Sequence, residues 1–488
     1  MSRIFSLLVV LILTTAWSIS ASDNIPKDEL ALRYQTLAAA MPDNAVTLLF
    51  SGEEKNRSND IQWPFRQSNE INYFTGSTKR QTSFALVKDG SKVTTVIFAQ
   101  EADPTFETWI GRISDFDTIK EATGVDLVIS AAEMPDFLSA LMNGRAWDAD
   151  RYAPARFPSF YRAVRNTEAT IWLSLGRYRD TDSTSTPALV YAEKVKQNFP
   201  DIAVRNITPV INDMREIKSP WELKQLQDAI DITVEAQKEA MKRVVTANHE
   251  YQVEATIEFT FRDKGACCPS YPSIVASGNN ATVLHYDENN DIIKRDQLLL
   301  TDVGAELNYY AADTTRTYPA SGKFSEAQAA IYNAVLDGQT QAIASVKQGI
   351  IAQELEAIAN QTMGKHLLAL GLIEKNERDQ VELYYLHGLS HTIGLDVHDT
   401  WETDLELRPN MVITVEPGLY VRKDDVFNSD VFKEMSETAQ AMVRENIEKY
   451  EGIGVRIEDD ILVQENSYVN MSVGAPRTIA DIEAFMAQ

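Results

Sequence analysis

Leu298-Leu299-Leu300-Thr301-Asp302-Val303-Gly304 is a short apolar run that closes on a carboxylate. A period of two predicts a strand with Leu298, Leu300 and Asp302 on one face. A carboxylate that continues an apolar face is costly to bury unless it is paired or meets a cation. A few turn-like residues further on, Tyr309-Tyr310-Ala311-Ala312-Asp313-Thr314-Thr315-Arg316-Thr317 is again β-prone. The two segments are expected as neighbouring antiparallel strands with Asp302 and Asp313 facing one pocket. Taken alone, the pair admits a plainer reading, with one aspartate paired to Arg316 and the other capping a turn.

Three later segments repeat the theme. His387 to Asp399, HGLSHTIGLDVHD, holds His387, His391 and His398, half of the six histidines in the chain. Its glycines let backbone approach closely, which favours a site over isolated structural histidines. Met411 to Tyr420 reads as a strand that ends at Glu416 and breaks at Pro417-Gly418. Gly454 to Leu462 reads as one strand with Arg456, Glu458 and Asp460 on one face. Four carboxylates with one imidazole make a hard, mostly oxygen donor set. That set suits two divalent ions such as Mn²⁺ better than a closed structural zinc site. Two such ions roughly 3.5–4 Å apart can share a bridging hydroxide and polarise a carbonyl, so amide hydrolysis is the expected reaction class.

Upstream of these segments, Ser219-Pro220-Trp221-Glu222 predicts a helix start: Ser219 as N-cap, Pro220 at the first position, Glu222 completing a capping box. Leu223, Leu226, Ile230 and Val234 follow at helical spacing and form one apolar face. The stretch before it, residues 24–210, contains no histidine and alternates strand-like runs at residues 46–50, 84–87, 93–98 and 171–173 with helical ones such as 132–142. A 488-residue chain exceeds one ordinary core, so two domains are expected. Residues 24–210 are read as an α/β domain and 214–488 as the domain with the chemistry.

Met1 to Ala21 combines Arg3, the apolar run Ile4 to Trp17 and small residues, the pattern of a cleaved secretory signal. The run is too short for a spanning helix of about 20 residues, so export is expected rather than anchoring. The location would be periplasmic in a double-membraned bacterium and secreted otherwise. The net charge of −25 repels nucleic acid and anionic membranes. Cys267 and Cys268 are the only cysteines, and neighbours in sequence close a disulfide only through a strained eight-membered ring. Vicinal thiols can bind soft metals, but the expectation for this pair is two small buried hydrophobes.

Together, TDVG at Asp302, AADTTRT at Asp313, HGLSHTIGLDVHD, TVEPGLY and GVRIEDD closely resemble the motifs of the Xaa-Pro aminopeptidase and prolidase group. Pro269-Ser270-Tyr271-Pro272-Ser273-Ile274-Val275 and the Phe65 to Gly76 segment are similar to that group as well. The resemblance implies a creatinase-like α/β domain followed by an α+β pita-bread catalytic domain, with two divalent metals, Mn²⁺ first and Zn²⁺ or Co²⁺ as alternatives. It implies Asp302 as a ligand of one metal, Asp313 and Glu458 as bridges, and His391 and Glu416 as ligands of the other. It further implies His285, His387 and His398 as substrate-side histidines, Glu416 as a proton shuttle, and Arg456 as the group that orients Glu458 and its neighbours. The implied substrate is a peptide with proline second, cleaved through a metal-bridging hydroxide, and the implied assembly is a homodimer or homotetramer. A prolidase acting on Xaa-Pro dipeptides, or a non-catalytic peptide binder on the same scaffold, are the alternatives.

Overall fold

The structure is a computed structural model that describes residues 25–145, 147, 156–176, 186–400 and 406–488. The segment read as a secretory signal lies outside the described residues. Among them, no helix is long and apolar enough to cross a membrane.

The amino-terminal part is organised around a six-stranded mixed sheet in the order Leu127–Ser130, Lys92–Ala99, Ser83–Asp89, Ala45–Leu49, Thr170–Leu173, Ala203–Asn206. The four runs predicted as strands are its four inner members. Alternation sends their side chains to two separate layers. Val46, Leu48, Ala85 and Val87 pack with Phe137 and Phe160 on one face. Leu49, Phe84, Leu86 and Ile97 pack with Leu30 and Leu37 on the other.

The capping box at Ser219 forms as expected and opens a helix over Pro220–Val244. Leu226, Ile230 and Val234 on its apolar face are buried. From here the chain builds two similar halves. The first sets the helices Pro220–Val244 and Glu250–Asp263 against a sheet of Ile274–Ser277, Leu298–Val303 and Thr314–Pro319. The second sets Glu326–Ser345 and its partner Ala352–Ala369 against strands Val412–Val415, Asp459–Val463 and Tyr468–Asn470, with Gly418–Tyr420 and Gly454–Arg456 paired alongside.

Leu298–Val303 and Thr314–Pro319 are antiparallel neighbours, with Asp302 opposite Thr315. Asp313 stands one residue before its strand, beyond the hairpin of Ala305–Leu307 and Tyr310–Ala311. The run from Gly454 to Leu462 corrects the one-strand reading. It is two strands in different sheets, interrupted at Ile457-Glu458. Asp460 consequently leaves the face shared by Arg456 and Glu458 and is fully buried beneath it. Arg316 pairs with Asp459 at 2.6 Å rather than with Asp302 or Asp313, which removes the plainer reading of the two aspartates. The acidic stretch after Arg422 forms the helices Lys423–Asn428, Asp430–Glu434 and Glu437–Ile447, whose Val426, Phe432, Val443 and Ile447 join the core of this part.

The two cysteines are a second correction. Cys267 is exposed and Cys268 partly so, because they lie on the outer edge of the small sheet that includes Ala305–Leu307 rather than in a core.

Candidate metal centre

The two halves meet over a pocket of about 490 Å³, and every residue picked out from the sequence as a ligand or substrate contact lines it: Asp302, Asp313, His391, Glu416 and Glu458, with His285, His387, His398 and Arg456. Each acid is delivered where a strand ends or breaks. Asp302 is the penultimate residue of its strand, Asp313 precedes one, Glu416 follows Val412–Val415, and Glu458 occupies the break before Asp459–Val463. A strand end fixes the backbone by its ladder while leaving the side chain free to point off the sheet edge.

Donor atoms of Asp313, His391 and Glu458 lie within 4.8 Å of one another. His391 Nε2 stands 3.5 Å from Asp313 Oδ2 and 3.4 Å from Glu416 Oε1. Its Nδ1–H donates to the Thr392 carbonyl at 3.1 Å, so Nε2 is the nitrogen offered to the pocket. The Tyr271 hydroxyl is 2.6 Å from Asp302 Oδ1 and also touches Asp313 Oδ1, so one phenol hydrogen stands between two carboxylates.

Arg456 departs in detail from its expected role. Its Nη2 pairs with Asp302 Oδ2 at 2.5 Å, and it reaches Glu458 only through Thr315, whose hydroxyl accepts from Nε at 3.3 Å and donates to Glu458 Oε2 at 2.6 Å. Arg456 Nη1 donates to the Tyr420 hydroxyl at 2.8 Å, which in turn donates to His387 Nε2 at 2.7 Å. His387 Nδ1–H then donates to the Gly388 carbonyl at 2.8 Å. His285 and His398 are exposed on the rim, the latter with its ring centre 4.3 Å from that of His391.

Electrostatics say what the donor set lacks. Burial pushes Asp302 up, but the Arg456 guanidinium wins and holds it below the usual carboxylate range. The other three acids go the opposite way. Burial and the Asp302 charge raise Asp313; burial with Asp313 and Glu416 raises Glu458 well above normal; burial lifts Glu416 to about 7 even against His391. His391 is lifted to about 9, because Asp313 and Glu416 outweigh its own burial. Burial and Arg456 lower His387 to about 4, so it is neutral. Four converging carboxylates face only the Arg456 guanidinium and the His391 imidazole, so their negative charge exceeds what the protein supplies to offset it. This donor set therefore fits hard divalent cations.

Tyr271 and Tyr420 were not singled out from the sequence. Both fall inside stretches that resemble the family, but their partners are far away in the chain, and local spacing gives them no role.

The loop carrying His391 is braced by Asn69 of the amino-terminal part and by two residues of the connection that leads into Pro220–Val244. Asn69 Nδ2 donates to the Leu395 carbonyl at 3.2 Å and to Asp396 at 2.7 Å. Arg215 pairs with Asp396 at 2.7 Å and with Asp399 at 2.5 Å, and Lys218 reaches Asp399 at 3.2 Å.

Two matched helix-and-sheet halves closing over a carboxylate-rich pocket define a metal-dependent hydrolase. The chain belongs to metallopeptidase family M24, in the aminopeptidase P group: the family M24 model matches residues 224–465, and the model of the aminopeptidase P amino-terminal domain matches residues 30–148. It is 32% identical over 475 residues to the Xaa-Pro aminopeptidase of Escherichia coli strain K12, covering 95% of this chain and 98% of that relative. It is 34% identical over 473 residues to the Xaa-Pro aminopeptidase of Haemophilus influenzae, with the same coverage of 95% and 98%. The solved structure of zinc-substituted Escherichia coli aminopeptidase P in complex with product matches with a TM-score of 0.80 at 30% identity, over 95% of this chain and 99% of that one.

Proposed function

We propose that this enzyme removes the first residue from peptides that carry proline second, using two divalent cations held by Asp302, Asp313, His391, Glu416 and Glu458. The observation that carries the reading is the convergence of Asp313, His391 and Glu458 at the seam between the halves, with Asp302 and Glu416 beside them. Bound there, the cations would supply Lewis acidity toward a peptide carbonyl and make water a better nucleophile at neutral pH. The mostly oxygen donor set favours Mn²⁺, with Zn²⁺ or Co²⁺ as substitutes.

The side chains supply the rest. Glu416, 3.9 Å from His387 Nδ1 and next to His391, is the carboxylate placed to carry a proton to the departing proline nitrogen. That nitrogen belongs to a tertiary amide and has no hydrogen of its own. Rim histidines His285 and His398 are placed to donate to substrate carbonyls, while neutral His387, fixed by Tyr420 and by the Gly388 carbonyl, lines the same pocket. Ile274, Leu284 and Val397 give the pocket an apolar wall that suits a pyrrolidine ring.

The deciding assay compares an Xaa-Pro-Yaa tripeptide with an Xaa-Pro dipeptide before and after EDTA. The expected result is turnover of the tripeptide that EDTA abolishes and Mn²⁺ restores. Strong preference for the dipeptide would convert the reading to a prolidase, and a metal-free, EDTA-insensitive chain would convert it to a peptide binder. The composition of Met1 to Ala21 supports export with cleavage near Ala21, and amino-terminal sequencing of the mature protein tests it. A homodimer or homotetramer is proposed for the assembly, and light scattering tests it.

A further inference from the structure

Cys267 and Cys268 are the only cysteines in the chain, and the fold sets them beside a carboxylate. The two-residue strand Cys268–Pro269 pairs antiparallel with Ala305–Leu307, Cys268 opposite Glu306. The Cys267 amide donates to the Glu306 carbonyl at 3.0 Å. This ladder brings the two sulfurs to 2.6 Å from each other and the Cys267 thiol to 3.4 Å from Glu306 Oε1. One donor atom from each of the three side chains lies within 4.8 Å of the other two.

Glu306 is 7% exposed, and Arg66 holds it in place, its Nε reaching the two carboxylate oxygens at 3.2 and 3.1 Å. The carboxylate is thus pre-set toward the thiols. Cys267 is exposed, which opens a path from solvent. Two thiolates and a carboxylate would carry three negative charges. Arg66, together with Arg262, whose guanidinium donates to the Cys267 carbonyl, offsets part of that charge.

We propose that Cys267, Cys268 and Glu306 form a second cation site, separate from the carboxylate centre and selective for a thiophilic divalent ion of the zinc or cadmium kind. Soft thiolates select such ions, where the oxygen-rich pocket selects hard ones. Binding forms two metal–sulfur bonds and releases the two thiol protons to solvent, with no change of oxidation state. With metal–sulfur distances near those of zinc, the sulfurs would part to roughly 3.8 Å across the ion.

Cadmium is the probe, added to the reduced full-length chain after saturation with Mn²⁺. No other thiol exists in the chain, so a thiolate-to-cadmium charge-transfer band in the ultraviolet reports on this pair alone. The expected result is a band that saturates at one Cd²⁺ per chain, persists in His391→Ala, and vanishes in the double variant Cys267→Ser/Cys268→Ser. In Glu306→Gln the Kd should weaken at least about tenfold. Cys267→Ala/Cys268→Ala, which leaves the Arg66–Glu306 pair intact, serves as the thiol-free reference if the serine variant does not fold. No band, one ion shared by two chains, or an affinity indifferent to Glu306→Gln would overturn the site. A native chain with no titratable thiol, its neighbouring sulfurs bonded to each other, would overturn it as well.

Discussion

In the first half of the catalytic part, the buried amide of Gln237 on helix Pro220–Val244 donates to the carbonyls of Thr301 and Thr314, at 3.1 and 2.7 Å. Those residues adjoin Asp302 and Asp313. In the second half, the buried amide of Gln339 on helix Glu326–Ser345 donates to the Val415 carbonyl at 3.0 Å and to Asp459 Oδ2 at 3.3 Å. Those adjoin Glu416 and Glu458. Each glutamine therefore staples together the two chain segments that present the acids of its own half. The difference lies in what it grips. Gln237 holds two neutral carbonyls, whereas Gln339 holds a carboxylate that exists as an ion because Arg316 crosses over from the first half to meet it. Burial alone would raise Asp459, but Arg316 and Arg477 hold it below normal. The lesson is that the second half owes its acid geometry to a charge borrowed from the first.

The comparison can be broken at several depths. Asp313→Ala removes a residue at the seam where both halves meet, and peptide turnover should fall by about 10³-fold or more, beyond the 10–100-fold typical of groups one step outside a metal site. Arg316→Met takes the closer and fully buried of two guanidinium partners from Asp459, leaving Arg477 at 3.3 Å, and chemical denaturation should show a loss of about 3–5 kcal/mol. That deficit should shrink in acid. A carboxylate held below its ordinary pKa contributes stability above about pH 4 and loses it as pH falls through the folded value, so wild type declines there while the variant gains by protonating Asp459.

Gln237→Leu and Gln339→Leu should each cost about 1–3 kcal/mol, with the second larger because a charged acceptor is abandoned. Equal losses would erase the distinction between the halves. Tyr271→Phe, which removes the hydrogen between Asp302 and Asp313, should lower metal affinity by about 10–100-fold. The mildest effect is one of pH. In metal-stripped protein Glu416 and His391 both have folded pKa values raised, to about 7 and about 9. Each is more stable protonated, so thermal stability should decline as pH rises from about 5 to 9. Added Mn²⁺ should reverse that slope, since it binds the deprotonated ligands.

Much of this site was legible before folding because each ligand closes or interrupts an apolar run, a local pattern that states both the strand and its anomaly. Asp302, Glu416 and the cluster from His387 to His398 announced themselves in this way. The break at Ile457-Glu458 did not, since Val455, Ile457 and Ile461 fall on one face of a continuous strand and only Asp459 interrupts them. Arg316 finding Asp459, Tyr271 finding two aspartates, and the outward turn of Cys267 all depend on partners distant in the chain, which no local spacing encodes. The resemblance carried the roles, while the structure supplied the second layer of contacts that makes them workable.

Asn69, Arg215 and Lys218 hold the turn that presents His391, and none of them belongs to either half of the catalytic part. A chain cut back to the residues after Ser219 would still spell out all five ligands and keep the pairing of His391 and Ile393 with Thr414 and Val412, yet the turn from Leu395 to Asp399 would lose all three of these holds. These three side chains thus act as a splint for the turn, and losing them should show first as weak metal retention.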